Sequence, residues 1–576
     1  MANHLFRKKN IQIILRDAQQ GLSDSEGHHT GLKRVLGVRD LTFLGIAAVI
    51  GTGVFTAIGS ASFHGGPAVI LLFGFTAIAC GFAAYCYAEF ASTIPVSGSA
   101  YTYSYVSFGE IFAWIIGWDL LMEYAIGNIA VAISWSQYFV RVLAGFHLHV
   151  PEWMTIDYST AHHGFTQAAE QLSHGTAFTS LDQGLQTMYN AWQHAPMLGS
   201  FKIIMDIPAF FIVIVITYIV YVGIRESRTA NNVMVLIKLV IILLVIIAGA
   251  FYVSPGNWSP FMPNGFSGVM SGVSAVFFAY IGFDAISTTA EECRDPQRDL
   301  PKAMFYTLFI CTGLYIVLVL VLTGMTNYTK LNVADPLAFV FQDQHSRVSN
   351  ALSGIISVSA IIVIASVLLV YQLGQPRIWM SMSRDGLLPP IFARIHPKFK
   401  TPSFSTILTG VVVGVPALFL NLDVVIALTS IGTLFAFVLV CGGVLMLESQ
   451  PNRPESKFKV PYFNGKYIVP VVLLAALIVV YLKVPGYYQG LFKKEGLPML
   501  VFFVVAIIVS VYTFMKNFSL IPVLGLLSCF YLMAQESHTN WYRFLIWLVI
   551  GLVIYFSYGR WNSRLAKTSP SKGELV

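Results

Sequence analysis

Charged residues are scarce in this sequence. Only 11% of its 576 residues are Asp, Glu, Lys or Arg, whereas 56% are hydrophobic, and the mean hydropathy is +0.69. So few charges cannot cover the water-exposed surface of a chain this long, which excludes an ordinary soluble domain and indicates a polytopic membrane protein. The net charge of +7 does not indicate nucleic-acid binding, because the basic residues lie in short loops between apolar runs.

Cysteine is also rare, and the short motifs of several catalytic classes are absent from the sequence. None of the six cysteines belongs to a C-x-x-C pair, so we interpret them as small buried side chains and predict no metal site. No H-E-x-x-H, G-x-S-x-G or G-x-x-x-x-G-K-[ST] segment occurs, which disfavours a metalloprotease, a serine hydrolase and an ATP-driven pump. All thirteen histidines fall in predicted tails or loops, and a membrane-embedded enzyme would need such groups at membrane depth. A channel would need a repeated polar pore lining, which is not visible.

Apolar runs long enough to cross a bilayer recur along the whole chain. They predict about fourteen transmembrane helices, at residues 41–62, 67–90, 106–143, 203–222, 230–253, 267–291, 303–325, 350–373, 404–420, 423–447, 467–483, 498–515, 518–534 and 541–558. The predicted fold class is therefore an all-α polytopic membrane protein.

The runs divide the chain into five segments. We predict a cytoplasmic N-terminal tail (1–40), a first set of five helices (41–253), a second set of five (267–447), four additional helices (467–558) and a cytoplasmic tail (559–576). Because five is an odd number, the second set starts on the opposite face of the membrane. The two sets would therefore be inverted repeats.

The distribution of Lys and Arg predicts the orientation of the chain. Basic residues cluster in both tails and in one set of alternate loops, such as 294–302, 377–400 and 453–466. By the positive-inside rule, both termini are predicted to be cytoplasmic. We expect the plasma membrane, which would be the inner membrane in a bacterium. The first 40 residues show no cleavable signal peptide, and Ile11 to Leu15 are either a short interfacial helix or part of an unstructured tail.

One exterior loop is much longer than the others. Residues 147–200 form a polar insertion that contains six of the histidines and no Lys or Arg. The histidine spacing matches no helical pair of metal ligands. A small cap with short helices, for instance over residues 181–194, is therefore favoured over a metal site.

Two glycine interruptions occupy corresponding positions in the two sets. Ile50-Gly51-Thr52-Gly53 interrupts the first run, and Gly282 interrupts the sixth. Backbone that is opened at membrane depth survives only where it lines a cavity or binds something. The freed N–H groups suit an anion and the freed carbonyls suit a cation, and a free amino acid carries both charges. Paired interruptions of this kind predict a transporter binding site.

Four motifs resemble those of the amino acid–polyamine–organocation (APC) superfamily. They are Val49–Gly53 after a basic N terminus, Pro95–Tyr101, Phe278–Asp284 and Arg384–Pro389, in the family order. About fourteen helices resemble the cationic amino acid transporter-like branch, although the insertion 147–200 departs from its bacterial members. The resemblance implies a five-plus-five inverted-repeat core of the leucine-transporter type and secondary active transport by alternating access.

The resemblance also implies the binding residues. The substrate carboxylate would accept hydrogen bonds from the backbone of Thr52 and Gly53, and Phe278 would act as an aromatic gate. The substrate ammonium would donate to backbone carbonyls, namely those of Val49, Phe278, Ala279 and Ile281. The full predicted binding set is Val49, Ile50, Gly51, Thr52, Gly53, Phe278, Ala279, Ile281, Gly282 and, near the substrate side chain, Glu123.

Lys238 lies about two turns inside the fifth apolar run. A lysine at the centre of a membrane helix costs roughly 2.5–3.5 kcal/mol, so its presence needs an explanation. One interpretation is a lysine whose head group reaches the cytoplasmic interface. The other, which the resemblance supports, is an ammonium placed against the broken first helix that takes up and releases a proton during transport.

Several carboxylates also lie in the apolar runs. Asp119 and Glu123 share a helix face, where they either form structural hydrogen bonds or, in the case of Glu123, approach the substrate side chain. For a second group of carboxylates we expect structural or gating roles, in pairs with cytoplasmic arginines. This group consists of Glu89, Asp284, Glu291 and Glu292.

The sequence therefore predicts a proton-coupled symporter of L-amino acids. The alternative is an exchanger or facilitator of cationic amino acids, in which Glu123 would pair with the substrate and Lys238 would be structural. An enzyme is not expected. The proton would be the coupling ion, with no other cofactor, and the expected partners are the amino acid and the lipid bilayer. Nucleic acid is not expected, and no obligate protein partner is evident.

Overall fold

The computed structural model describes residues 6–9, 36–94, 99–222, 228–333, 335–344, 346–399, 401–448, 457–483 and 487–568. This part of the chain is almost entirely helical, which confirms the predicted all-α polytopic class. Eight helices are long and apolar enough to cross a membrane, or nine if the bent pair Gly265–Ser271 and Val273–Ser287 counts as one span. Four shorter apolar helices accompany them among these residues.

The helices of the first half begin with α1 (Val38–Val49), α2 (Ile58–Gly65), α3 (Val69–Thr93), α4 (Ser99–Ser107) and α5 (Glu110–Gly145). They continue with α6 (Tyr158–Ser173), α7 (Gln183–His194), α8 (Ile207–Val222) and α9 (Arg228–Ala250). A π-helical turn, Gly53–Ala57, precedes α2, and the two-residue strands β1 (Met197–Leu198) and β2 (Phe201–Lys202) form an antiparallel hairpin. Short 3-10 turns lie at Gly66–Ala68, Glu152–Met154, Phe178–Ser180 and Pro255–Trp258.

The second half contains α10 (Gly265–Ser271), α11 (Val273–Phe278), α12 (Pro296–Met325), α13 (Pro336–Gln342), α14 (Arg347–Arg384), α15 (Ser403–Ala417) and α16 (Leu422–Glu448). A 3-10 segment, Phe283–Glu292, follows α11, and shorter ones lie at Tyr328–Lys330, Pro390–Ala393 and Lys494–Gly496. The last long helices are α17 (Ile468–Lys483), α18 (Leu497–Lys516), α19 (Leu520–Ala534) and α20 (His538–Ile554). Single turns at Tyr487–Gly490, Tyr555–Gly559, Arg560–Asn562 and Arg564–Thr568 complete the helical segments.

Each of the predicted apolar runs coincides with helix. The main differences are at the ends of the runs, because apolarity marks the part of a helix in the bilayer and not the whole helix. The run 350–373 is the middle of α14, which continues to Arg384. The start of the run 106–143 falls in α4, a separate buried helix that precedes α5.

α5 lies at the centre of the bundle. Its large aromatic residues Trp114 and Tyr138 are fully buried, and α8, α14, α15, α16 and α20 all pack against it. The indole N–H of Trp114 donates to the Gly551 carbonyl at 2.8 Å, and that of Trp118 donates to the Trp547 carbonyl at 2.8 Å. α20, the last of the long helices, is thus bound directly to α5 at the centre of the bundle.

The insertion 147–200 folds into short helices on one face of the bundle, which we call the cap side. α6 and α7 pack closely, since a Cβ on Gly164 would lie 2.2 Å from the sulfur of Met188. Within the described residues, no three His, Cys, Asp or Glu side chains gather as metal ligands would. His162 instead lies 4.7 Å from the Trp192 ring, between ring centroids.

Described segments from near both ends of the chain lie together on the opposite face, which we call the terminal side. The N–H of Glu110 donates to the Arg7 carbonyl at 2.9 Å, and the Ser563 hydroxyl donates to the Glu110 carboxylate at 2.6 Å. Lys9 forms an ion pair of 2.7 Å with Asp385, just after α14. Residues from both ends of the chain therefore close over α5 and α14. The run from Ile11 to Leu15 lies outside the described residues.

Candidate functional site

The first interruption lies between α1 and the turn Gly53–Ala57. α1 ends at Val49 because Ile50 takes an extended conformation, with φ −78° and ψ 93°. In the part of the chain that the structure describes, no backbone carbonyl accepts a hydrogen bond from the N–H groups of Gly51, Thr52 and Gly53. These are the free donors that the sequence predicts for an anion.

The second interruption lies at the end of α11. Regular helix stops at Phe278, and the chain turns through Gly282, whose φ of +117° is a conformation that side chains disfavour. The 3-10 segment Phe283–Glu292 then leads away towards the terminal side. The interruption therefore lies at the glycine where the sequence predicts it.

Glycines allow the two interruptions to touch each other. A Cβ on Gly53 would lie 2.4 Å from the Cα of Ala279. A Cβ on Gly282 would lie 2.9 Å from the carbonyl carbon of Ala48. Because a side chain at either position would push the two backbones apart, each glycine is needed for close approach as well as for the break itself.

Tyrosine hydroxyls from two other helices anchor the first interruption. Tyr138 of α5 donates to the Phe55 carbonyl at 2.6 Å, and Tyr315 of α12 donates to the Val49 carbonyl at 3.1 Å. The Val49 carbonyl, which is predicted to receive the substrate ammonium, therefore already accepts one hydrogen bond. A carbonyl oxygen has two lone pairs, so a second bond at Val49 remains available.

Lys238 lies against the end of α1. Its side chain is 1% exposed, and Nζ donates to the Ala47 carbonyl at 2.7 Å. The interpretation of a lysine that reaches the interface is therefore wrong, because the ammonium is enclosed by protein beside the first interruption. This is the placement that the other interpretation expects, and the proton-coupling role itself stays a prediction.

A small cavity lies between the two interruptions, and we call it the head compartment. Its walls contain the predicted residues Val49, Gly51, Thr52, Gly53, Phe278 and Ile281, together with Ala48, Val131, Val367 and Tyr371. Two other predicted residues, Ile50 and Ala279, are fully buried behind these walls. Apart from Thr52 and Tyr371, its lining residues have no polar side-chain atoms, so backbone groups are available for the head group that all amino acids share.

A second small cavity adjoins the first, and we call it the acidic compartment. The two share the residues Ala48, Ile281, Val367 and Tyr371. The remaining walls are Glu123, Tyr124, Gly282, Asp284, Ala285 and Val370. Glu123 thus lies where a substrate side chain would extend from the head compartment, and a second carboxyl group, that of Asp284, faces the same space.

Two carboxyl groups of α5 are buried without full hydrogen bonding. Asp119 has no partner for either carboxylate oxygen within the described residues, and Glu123 has none for Oε2. The structural interpretation, a hydrogen bond to a neighbouring helix, therefore holds for Glu123, whose side chain is hydrogen-bonded to Thr433 of α16, but not for Asp119. Buried polar groups usually have hydrogen-bond partners, so the unpartnered oxygens of Asp119 and Glu123 are available to a ligand or to water.

For Asp284, the expected pairing with a cytoplasmic arginine is wrong. Asp284 lines the acidic compartment, where backbone N–H groups of Gly282 and Ala285 interact with its carboxylate. Glu89 accepts a hydrogen bond of 2.7 Å from the N–H of Val460, at the start of the segment that leads to α17. The side chains of Glu291 and Glu292 lie outside the described residues, as does the segment Pro95–Gly98 of the second motif.

Sequence reasoning did not identify several of the residues that build the site. Tyr138 and Tyr315 anchor the first interruption, and Val131, Val367 and Tyr371 line the cavities. Each is an ordinary aromatic or aliphatic residue in an apolar helix, so its type carries no signal. For Asp284 a signal existed, since it is a charged residue two positions after the glycine of the second interruption.

Interrupted helices that enclose a buried cavity within an all-α membrane bundle define a secondary transporter. Comparison with known families identifies which kind. A model of the amino acid permease family matches residues 36–511, and a model of the permease C terminus matches residues 519–563. The chain belongs to the amino acid permease family.

Individual relatives resemble this chain over almost its full length. A methylthioribose transporter of Bacillus subtilis (strain 168) is 38% identical over 564 residues, 98% of this chain and 99% of the relative. The branched-chain amino acid permease BcaP of the same organism is 37% identical over 567 residues, 98% and 100%. Human cationic amino acid transporter 4 is 30% identical over 620 residues, 93% and 88%. These relatives are transporters, so the protein is a permease and not an enzyme, as the motifs predict.

Proposed function

We propose that the protein is a proton-coupled symporter of L-amino acids that works by alternating access. The observation that carries the proposal is the hydrogen bond from the buried Lys238 to the Ala47 carbonyl. This bond holds a group that can gain or lose a proton beside Ala47, which is two residues before the end of α1. The same interrupted helix supplies the free N–H groups of the head compartment.

Substrate binding would use both interruptions at once. The carboxylate would accept hydrogen bonds from Thr52 and Gly53, and the ammonium would donate to carbonyls of Val49, Phe278, Ala279 and Ile281. These groups recognise only the amino acid head. The side chain would extend past Val367 and Tyr371 into the acidic compartment, which therefore selects among amino acids.

Lys238 would link the proton to the movement of α1. In its charged form the ammonium donates to Ala47 and adds positive charge beside the head compartment. Loss of the proton removes that charge and weakens the hydrogen bond. The two forms of Lys238 would then favour different positions of α1, which is the requirement for coupling.

The proposal includes an orientation and a location. Basic residues are concentrated in the tails and in the loops of the terminal side, so the termini would be cytoplasmic and the cap side would face the exterior. The membrane would be the plasma membrane, or the inner membrane in a bacterium. The proton would be the coupling ion without a further cofactor, and transport would need no obligate protein partner.

A second candidate is exchange or facilitated transport of cationic amino acids. It is supported by the two carboxyl groups in the acidic compartment, Glu123 and Asp284, which would attract a basic side chain. It is also supported by the similarity to human cationic amino acid transporter 4. In this case the transport rate would not depend on a proton gradient, and Lys238 would be structural.

Uptake into proteoliposomes separates the two candidates. Labelled alanine, leucine and arginine are offered with and without an inward proton gradient, and methylthioribose is tested as a competitor because one relative carries that name. Symport predicts accumulation of alanine or leucine above equilibrium only when the gradient is present.

The control is a set of liposomes in which a protonophore collapses the gradient. Uptake that is insensitive to both the gradient and the protonophore would contradict proton symport. Arginine uptake that needs another amino acid on the opposite side would support exchange instead. Competition by methylthioribose but by no amino acid would contradict the proposed head compartment.

A further inference from the structure

The short linker between α19 and α20 carries a buried carboxylate, Glu536, that makes no contribution to the site described above. It lies on the cap side and is only 4% exposed. One of its oxygens accepts a hydrogen bond from the hydroxyl of Ser274. The other accepts one of 3.2 Å from the side-chain amide of Asn540, in the first turn of α20. The additional helices thus contact α11 through a charge-bearing group.

Ser274 occupies a sensitive position in the second broken helix. It is the second residue of α11, directly after the bend of 40° that separates α10 from α11. Its backbone carbonyl accepts a hydrogen bond of 2.8 Å from the hydroxyl of Ser430, in α16. Ser274 is therefore held from two sides, by α16 through its backbone and by Glu536 through its side chain.

Phe278, the expected gate of the proposed transport cycle on which this inference rests, lies one helical turn from this contact. Phe278 is four residues after Ser274 at the end of α11, and it forms part of the wall of the head compartment. Because α11 has only six residues, a rotation or shift at Ser274 moves Phe278 with it. The buried state of Phe278, 5% exposed, therefore depends on how Ser274 is held.

We propose that Glu536 is a positioning residue for the gate, which holds Ser274 and thereby keeps Phe278 closed over the head compartment from the cap side. The additional helices then do more than enlarge the bundle. They supply a fixed carboxylate to which the mobile half-helix returns in each transport cycle. When the gate opens to the cap side, the hydrogen bond between Ser274 and Glu536 must break.

Three substitutions and one control isolate this contact. Ser274→Ala removes the donor and Glu536→Ala removes the acceptor, whereas Glu536→Gln keeps an acceptor oxygen at the same place. The control is Glu495→Gln, which removes an exposed carboxylate from the linker between α17 and α18. Ser274→Ala is a small change, so it tests the proposal even if Glu536→Ala folds poorly.

Each substitution is combined with Val131→Cys. The measurement is the rate at which a membrane-impermeant maleimide, added to each face of the membrane in turn, labels this position. All six native cysteines are buried, and Val131 lies in the wall of the head compartment. We expect cap-side labelling to be about tenfold faster in Ser274→Ala and Glu536→Ala, because each loses the hydrogen bond that holds Ser274, and a net hydrogen-bond contribution near the upper end of the usual range shifts an equilibrium by about tenfold. Glu536→Gln and the control should stay within about twofold of the parent protein.

A double variant supplies the second criterion. Ser274→Ala combined with Glu536→Ala should label no faster than the single variants, because both remove the same hydrogen bond. Multiplied effects in the double variant would overturn the proposal. Equal rates of cap-side labelling in all variants, or no cap-side labelling in any of them, would also overturn the proposal. Faster labelling from the terminal side alone would overturn it as well. Labelling from each face in turn also keeps an error in the proposed orientation distinguishable from a failure of this inference.

Discussion

At the scale of single residues, Gly53 illustrates how closely the two interrupted helices depend on each other. Gly53→Ala would bring a Cβ to within 2.4 Å of the Ala279 Cα, and backbone on both sides would have to move. We expect a loss of about 1–3 kcal/mol of stability and a loss of most uptake, because the head compartment is built from these segments. Thermal unfolding in detergent and uptake in proteoliposomes measure the two effects.

The matched control for this substitution is Gly81→Ala in α3. A Cβ there meets no atom within 4 Å, so the substitution should be neutral or slightly stabilising. If Gly53→Ala were as well tolerated as Gly81→Ala, the close contact between the two interruptions could not be important for the site.

We expect Val367 to select substrates by the size of their side chain. It lines both the head compartment and the acidic compartment, so a larger side chain there narrows the path for the substrate side chain. Val367→Leu should raise KM for leucine about tenfold or more while KM for alanine changes less than threefold, because one methylene in a pocket is worth about 1–3 kcal/mol. Competition uptake assays give both values, and an unchanged ratio of the two would show that the side chain lies elsewhere.

Only some of the site residues can be identified from the sequence. Glycines and charged residues are conspicuous in apolar helices, so Gly53, Gly282, Lys238 and Glu123 could be selected from the sequence alone. Val367 and Tyr371 could not, because apolar and aromatic residues are the ordinary content of a membrane helix. Their role depends on which helix faces which, and that information is tertiary.

At the scale of elements, the interrupted helices are supported from outside by fixed polar groups. Tyr138 and Tyr315 hold the first interruption, and Glu536 holds the second through Ser274. The positions of the apolar runs were predictable, because a bilayer imposes their length. The supporting contacts were not, since they join helices that are far apart in the sequence.

Glu536 also gives the linker a pH dependence that can be measured. Burial raises the pKa of the Glu536 carboxyl to about 7. The unfolded chain therefore ionises at Glu536 at a lower pH than the folded protein does. This group lowers the folding stability as the pH rises from about 4.5, the usual pKa of a glutamate side chain, to about 7. The variant Glu536→Gln has no ionisable group at this position, so it does not lose stability in this way as the pH rises.

The expected result is a difference in thermal midpoint between Glu536→Gln and wild type that depends on pH. The midpoint of the variant relative to wild type should rise between about pH 4.5 and 7 and then stay level. Differential scanning fluorimetry in detergent at a series of pH values gives the curve. A constant difference over this range would mean that Glu536 does not titrate there.

At the scale of the whole molecule, segments near both ends of the chain pack against the terminal side. Lys9 lies 2.7 Å from both carboxylate oxygens of Asp385, and the hydroxyl of Tyr101 donates to the same group at 2.6 Å. Glu110 in turn accepts hydrogen bonds from Tyr555 and Ser563 near the C terminus. The sequence suggests a common face for the termini through its basic residues, but it does not indicate these contacts.

Asp385→Asn tests this closure. It removes the ion pair with Lys9 and weakens the bond from Tyr101, and the group is partly exposed, so we expect a loss of about 1–2 kcal/mol. The thermal midpoint should fall by a few degrees, whereas Glu495→Gln, which removes an exposed carboxylate on the cap side, should leave it unchanged. Equal midpoints for the two variants would argue against a structural clasp between the termini.

Under the proposed function, Lys238 couples the proton to the movement of the first interrupted helix. The most direct test compares wild type with Lys238→Ala in two assays on the same proteoliposomes. These are accumulation of amino acid driven by an inward proton gradient, and exchange of labelled for unlabelled amino acid without a gradient. Lys330→Ala, at an exposed lysine on the cap side, is the control.

We predict that Lys238→Ala loses gradient-driven accumulation but retains exchange, because its binding groups belong to the backbone of the interruptions and remain in place. The control should behave as wild type in both assays. Accumulation by Lys238→Ala that still follows the proton gradient would contradict the coupling role of Lys238.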